Sequence, residues 1–194
     1  LLSIAPIFTN QMVLQQKQNV PFWGISNPNT KISITASWGE SSETSADKKG
    51  KWILKINTPA AGGPFQIKIK AELKEKINFI SKEIITTFND VMIGEVWLAS
   101  GQSNMGMKME HEGCNDCIDN QKEEIANAKY HEIRMFRITE DLTGEGIKNQ
   151  KWKIANPENA KEFNAVAYFF ARKLYEKLDV PIGIISSAWG GTKI

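Results

Sequence analysis

Ser103 is the residue of this chain best placed to act as a nucleophile. It stands in Ser100-Gly101-Gln102-Ser103-Asn104-Met105, directly after the apolar run Val96-Trp97-Leu98-Ala99. A run of that length suits a strand covered on both faces. Ser103 is therefore expected just past the carboxyl end of a buried parallel strand, where the loops of an open α/β sheet diverge and ligands bind. A second reading is open here, because Ser100, Ser103 and Asn104 are also residues that cap helices.

A partner for Ser103 lies near the other end of the chain. Val180-Pro181-Ile182-Gly183-Ile184-Ile185 is rich in β-branched residues and runs into Ser186-Ser187-Ala188-Trp189-Gly190-Gly191-Thr192. Adjacent glycines let backbone N–H groups approach a ligand closely. Donors of that kind hold the oxyanion of acyl transfer. Gly190 and Gly191 are candidates for this role, although a glycine pair is also what a plain tight turn uses. A serine hydroxyl further needs a base, most often a histidine oriented by a carboxylate. The two histidines are His111, eight residues after Ser103, and His131. Neither is expected to serve, since known triads carry the base on a separate loop far along the chain.

Up to Phe88 the hydrophobic period is two. Ile32, Ile34, Ala36 and Trp38 alternate with polar residues, as do Phe65, Ile67 and Ile69, while Trp52, Leu54 and Ile56 alternate with Ile53 and Lys55. Turn residues separate these runs, as in Asn27-Pro28-Asn29 and Ala61-Gly62-Gly63-Pro64. A small antiparallel β-sandwich is expected over residues 1–89, with Trp23, Trp38 and Trp52 in its core. From residue 90 to 194 strands alternate with helices. A helix is expected over Asp119 to Ala128, a strand over Glu132 to Ile138, and a polar loop from Thr139 to Lys151. A second helix, capped by Asn164, should reach Leu178. The order βαβαβ is the first half of a flavodoxin-like three-layer α/β domain. In the flavodoxin order 2-1-3, the first and third strands are neighbours at the switch point. That arrangement sets Ser103 and Gly190-Gly191 across one crevice. The α/β-hydrolase elbow is excluded, because Met105 stands where Gly-x-Ser-x-Gly has its last glycine.

Gly94-Glu95-Val96-Trp97-Leu98, Gly101-Gln102-Ser103-Asn104-Met105 and the block Ser186 to Thr192 resemble the sialate O-acetylesterase family of SGNH (GDSL-like) hydrolases. The likeness extends to Phe163–Leu178, Met12-Val13-Leu14-Gln15 and Pro21-Phe22-Trp23-Gly24. It implies a β-domain ahead of the hydrolase domain, with Ser103 as nucleophile. It also implies an oxyanion hole from the N–H of Ser103 with that of Gly190 or Gly191. Gln102, Asn104 and Trp189 are candidates to line the substrate site. The family's third-block Asn and final Asp-x-x-His have no match before Ile194, so a C-terminal remainder or second chain is expected to complete the site. The implied substrate is an O-acetylated sugar, sialic acid first, with acetylxylan and other glycans fitting the same chemistry. The implied location is secreted, periplasmic or lysosome-like.

The totals bound the alternatives. A chain of 194 residues with net charge +2 holds one large or two small domains. Residues 1–89 carry 11 basic and 6 acidic side chains, and the remainder 13 and 16. The candidate site thus lies in the acidic part, which argues against nucleic acid as a partner. No apolar stretch approaches the ~20 residues of a membrane-spanning helix. Cys114 and Cys117 form an isolated Cys-x-x-Cys with only His111 nearby, too few ligands for zinc. A local disulfide or two free thiols are expected, and neither metal nor organic cofactor is implied.

Overall fold

The computed structural model describes residues 1–74, 81–111, 117–138 and 150–191. Strands β1 (Leu2–Ile4), β2 (Val13–Gln15), β3 (Asn19–Ser26), β4 (Lys31–Ala36), β5 (Ser41–Ser45), β6 (Lys51–Asn57) and β7 (Gly62–Lys74) precede the long strand β8 (Ser81–Gly101). Helices α1 (Ser103–Gly106) and α2 (Gln121–Ala126) follow. Then come β9 (Tyr130–Ile138), β10 (Lys153–Ala155), α3 (Pro157–Ala160), α4 (Ala165–Leu178) and β11 (Ile182–Ala188). The fold is mixed α/β and dominated by sheet.

The period-two segments form strands, and their alternation decides what is buried. On β6, Trp52, Leu54 and Ile56 point inward while Lys51, Ile53 and Lys55 face solvent. They share one hydrophobic core with Phe22, with Ile32 and Ile34 of β4, and with Ile67 and Ile69 of β7. The antiparallel sheet β1-β3-β6 thus packs through this core on the larger sheet. Trp23 corrects the expectation of a third core tryptophan. It follows Phe22 on β3, so the pleat turns it outward; it is 43% exposed and meets the edge of Phe8. Trp38 is half-buried, with its Nε1 donating to the carbonyl of Asn57.

The strand β8 leads into the candidate site at Ser103. Its first part pairs antiparallel with β7, and Glu95 to Gly101 pair parallel with β11. The boundary expected at 89/90 falls inside this continuous strand, at a bend. Asp90 has φ 55°, and the β7 register shifts opposite it, between Gly62 and Ile67. Buried Arg134 of β9 pins the bend. Its guanidinium donates to the carbonyls of Asp90, Gln11 (3.0 Å) and His131 (3.2 Å), and to Asp90 Oδ1 (2.8 Å).

The larger sheet runs β10-β9-β11-β8-β7-β4-β5, with β2 also paired to β8. This corrects the flavodoxin order. The third strand of the α/β part, β11, lies between the first, β8, and the second, β9. The outer edge of β8 is already taken at its base. β2 pairs with Met92 to Gly94 there, and Gln15 Oε1 accepts from the Val96 N–H at 2.8 Å. The second strand therefore adds to the far edge of β11. Gly94 permits the start of β11 to close in, since a Cβ there would sit 1.9 Å from the Pro181 carbonyl oxygen.

Helix α4 has the expected extent, with Asn164 at its N-cap position and Ala167 and Ala171 buried, but the Asn164 side chain makes no capping bond, and Phe170 and Leu178 are exposed. Helix α2 is shorter than expected. Strand β11 is longer, because Ser186 to Ala188 continue it rather than opening a loop. The run Val96–Ala99 is a strand but is not fully covered. Trp97 meets the edge of Phe170 on α4, whereas Leu98, on the opposite face, is 67% exposed. The expected loop 139–151 lies largely outside the described residues. Among the described residues, no helix is long and apolar enough to cross a membrane.

Candidate active site

Ser103 is exposed at the first position of α1, two residues beyond the end of β8. The cap position belongs to Gln102, whose side chain makes no capping bond, so Ser103 begins the helix and does not cap it. Gly101 makes the sharp entry possible, because a Cβ there would lie 2.9 Å from the Cβ of Met105. First-turn N–H groups, that of Ser103 included, have no partner within a helix.

The end of β11 arrives alongside. Ala188 is level with Gly101, and the Trp189 N–H donates to the Gly101 carbonyl at 3.0 Å, which extends the ladder by one step. Trp189 spends its N–H in this way, and the two glycines then leave the sheet. A Cβ placed on Gly190 would lie 4.0 Å from the Cβ of Ser103. Gly191 has φ +75° and open space around it. The structure thus brings Ser103 and Gly190 together, with Gly191 one step further out.

A cleft of about 570 Å³ opens beside Ser103, lined by Asn104, Gly106, Met107, Lys108, Glu110, His111 and Glu162. Glu162 pairs with Lys108 at 2.6 Å and lies 3.9 Å from Arg137. The Lys108 hydrogen bond holds its carboxyl below the usual carboxylate range. Lys161 and Glu110 stand 3.7 Å apart at the rim. His111 shares this cleft, but among the described residues no hydrogen bond joins it to Ser103. His131 is exposed at the start of β9, the opposite end of the parallel strands from Ser103. Asn104 lines the cleft, Gln102 is half-buried behind it, and Trp189 is exposed at the end of β11. Cys117 is disulfide-bonded, which removes it as a free thiol; Cys114 lies outside the described residues.

Sequence reasoning missed Lys108, Glu110 and Glu162. They meet because Met107 to Glu110 pair with Lys161 to Ala165 through backbone bonds of 2.8 to 3.0 Å. No local periodicity announces that pairing.

No protein-family model matches the chain. The human sialate O-acetylesterase is 32% identical over 212 residues, which cover 98% of this chain. The chain is homologous to the sialate O-acetylesterases. The mouse enzyme of the same name is 30% identical over 207 residues. A carbohydrate acetylesterase structure from Xanthomonas citri superposes on all of this chain with a TM-score of 0.83 and 31% identity. The chain spans 37% of the human relative's length and 41% of the bacterial structure's.

Proposed function

We propose that this chain carries the nucleophile and oxyanion hole of a serine carbohydrate esterase that removes O-acetyl groups from sugars. O-acetyl sialic acid is the first candidate substrate, and acetylxylan and other acetylated glycans are the alternatives. The single observation that carries this reading is the meeting of Ser103 and Gly190 at the carboxyl ends of two adjacent parallel strands. The homology to sugar acetylesterases supports the choice of substrate class.

In the proposed reaction a base takes the proton of Ser103 Oγ, which attacks the acetyl carbonyl. The N–H groups of Ser103 and of Gly190 or Gly191 hold the tetrahedral oxyanion. Collapse expels the sugar oxygen, which takes the proton from the base, and leaves an acetyl-serine. Water, deprotonated by the same base, releases acetate. No step calls for a metal or organic cofactor.

The base is assigned to polypeptide other than these 194 residues, either further sequence of the same protein or a second chain. The 67% exposure of Leu98, a large apolar side chain on a strand of the parallel sheet, supports this reading, since such sheets are ordinarily covered on both faces. Division into a β-domain over 1–89 and a hydrolase domain over 90–194 is retained as a functional division, with β8 shared between them. A secreted, periplasmic or lysosome-like location fits the proposed substrate.

The test is a fluorophosphonate probe followed by mass spectrometry of the chain together with its completing polypeptide. Labelling at Ser103 is expected. A protein that binds acetylated sugar without any labelled serine would overturn the esterase reading in favour of a noncatalytic binding module.

A further inference from the structure

Asn164 occupies the N-cap position of α4 in the extended conformation a cap needs (φ −66°, ψ 122°), yet its side chain makes no capping bond. A capping asparagine normally accepts from an N–H of the first helical turn, which stabilises the helix by ~1 kcal/mol. Here Asn164 Oδ1 accepts instead from Ser186 Oγ at 2.5 Å, and both residues are only 1% exposed. The side chain is diverted from the helix it begins to the strand against which that helix packs.

Each end of that bond leads to one half of the site. The backbone of Asn164 bridges Lys108, flanked by 2.8 Å bonds from the Met109 N–H to the Phe163 carbonyl and from the Ala165 N–H to the Met107 carbonyl. This holds the segment that follows directly on α1, the single turn bearing Ser103. At the other end, Ser186 lies on β11 four residues before Gly190. α1 has no fully buried residue, and only Met105, half-buried against the core, anchors the turn directly. Its last residue, Gly106, rests near β11, since a Cβ there would be 3.8 Å from that of Ala188.

We infer that Asn164 and Ser186 are a positioning pair, a buried tie that sets the separation between the Ser103 hydroxyl and the Gly190 N–H. The inference rests on the esterase reading above. Neither residue touches the substrate. The pair acts through the geometry of the nucleophile and its oxyanion donor, where a displacement of about 1 Å costs on the order of 100-fold in rate.

The test is steady-state hydrolysis of an aryl acetate by the chain with its completing polypeptide, with rates normalised to the fraction of Ser103 titrated by fluorophosphonate. Variants are Asn164→Ala, Ser186→Ala, the double variant, Ser186→Thr, Ser186→Cys and Ser103→Ala. Each alanine variant should lower kcat about 10- to 100-fold with KM changed less than about twofold. The double variant should be no slower than either single one, because the two residues act as one unit. Ser186→Thr, which keeps the hydroxyl, should recover much of the rate. Unchanged kcat in the folded single variants, or losses that multiply in the double variant, would overturn the pair. If the alanine variants fail to fold, Ser186→Cys decides the matter, as its thiol is the weaker donor and its added bulk is matched by Ser186→Thr, which keeps the hydroxyl: a wild-type kcat overturns the inference, and a kcat reduced below that of Ser186→Thr supports it. Unchanged hydrolysis by Ser103→Ala would instead remove the esterase reading and leave the pair with nothing to position.

Discussion

Ser103 and Gly190 stand opposite one another at the ends of neighbouring parallel strands, so close that a side chain begun on Gly190 would touch the Cβ of Ser103. Because Ser103 is exposed and buries no apolar surface, Ser103→Ala should leave the melting temperature within about 2 °C of wild type. The same change should lower aryl acetate turnover by the completed enzyme by about 10³-fold or more. Thermal melts and initial rates on one preparation check both parts.

The two glycines should respond differently to alanine. Gly190 has ordinary contact distance to spare, so Gly190→Ala should fold with little loss of stability. Gly191 has φ +75°, where an L side chain is strained by about 1 kcal/mol or more. Urea unfolding should therefore rank Gly191→Ala below Gly190→Ala. Gly190→Val, which adds bulk beside Ser103, should reduce kcat/KM for an acetyl ester while the protein stays folded.

Arg134 offers a test of how β8 is held at its bend. It is almost fully buried, and its guanidinium spans Asp90, Gln11 and His131. Arg134→Met should cost about 3 kcal/mol, because it leaves a carboxylate and inward-facing carbonyls without their donor. Asp90→Asn should cost much less, since Asp90 is partly exposed and its carbonyl contact is retained. Equal midpoints for the two variants in urea would show that the tie is not what holds the bend.

What could be read in advance divides along a physical line. Trp52, Leu54 and Ile56 report their own burial, because a strand's pleat converts sequence spacing into facing. The position of Ser103 just past a strand was legible from the apolar run Val96–Ala99 that Gly101 ends, although that run is not covered on both faces, and the extent of α4 was legible from its helical spacing. Strand order was not legible. Whether β9 joins β8 or β11 depends on which edge is vacant, and that was decided by Gln15 and β2, some 80 residues away in the chain. The meeting of Ser103 with Gly190 survives the different order because both orders make β8 and β11 neighbours. Glu162 was invisible because it reaches the cleft through pairing of 107–110 with 161–165. The diversion of Asn164 to Ser186 was hidden behind an ordinary capping signal.

The cleft wall should also report its charge state. The hydrogen bond from Lys108, reinforced by Arg137 and Lys153, lowers the pKa of Glu162 from its ordinary 4.5. A lowered folded value means that the pair's contribution is present above the ordinary pKa and lost as pH falls through the folded one. A carbon-detected NMR titration should place the Glu162 midpoint below 4.5. Lys108→Met should move it upward. A midpoint unaffected by Lys108→Met would mean that the cation does not govern the carboxylate in solution.

The last prediction is that residues 1–194 alone do not form a competent esterase. His131 lies at the wrong end of the sheet, and His111, although in the cleft, has no hydrogen bond to Ser103 among the described residues. Leu98 is exposed on the strand that leads to Ser103, and further polypeptide is expected to pack there. A triad enzyme stripped of its base keeps roughly 10³- to 10⁴-fold acceleration over water, from its oxyanion hole and binding alone. Turnover of an aryl acetate by the purified chain should therefore be weak, and His111→Ala should leave that weak rate unchanged. Adding polypeptide that carries an Asp-x-x-His should raise the rate, and Ser103→Ala should abolish the gain. Robust saturable hydrolysis by residues 1–194, lost on His111→Ala, would make His111 the base, because hydrogen bonds that are long or absent in an unliganded site can form when substrate arrives.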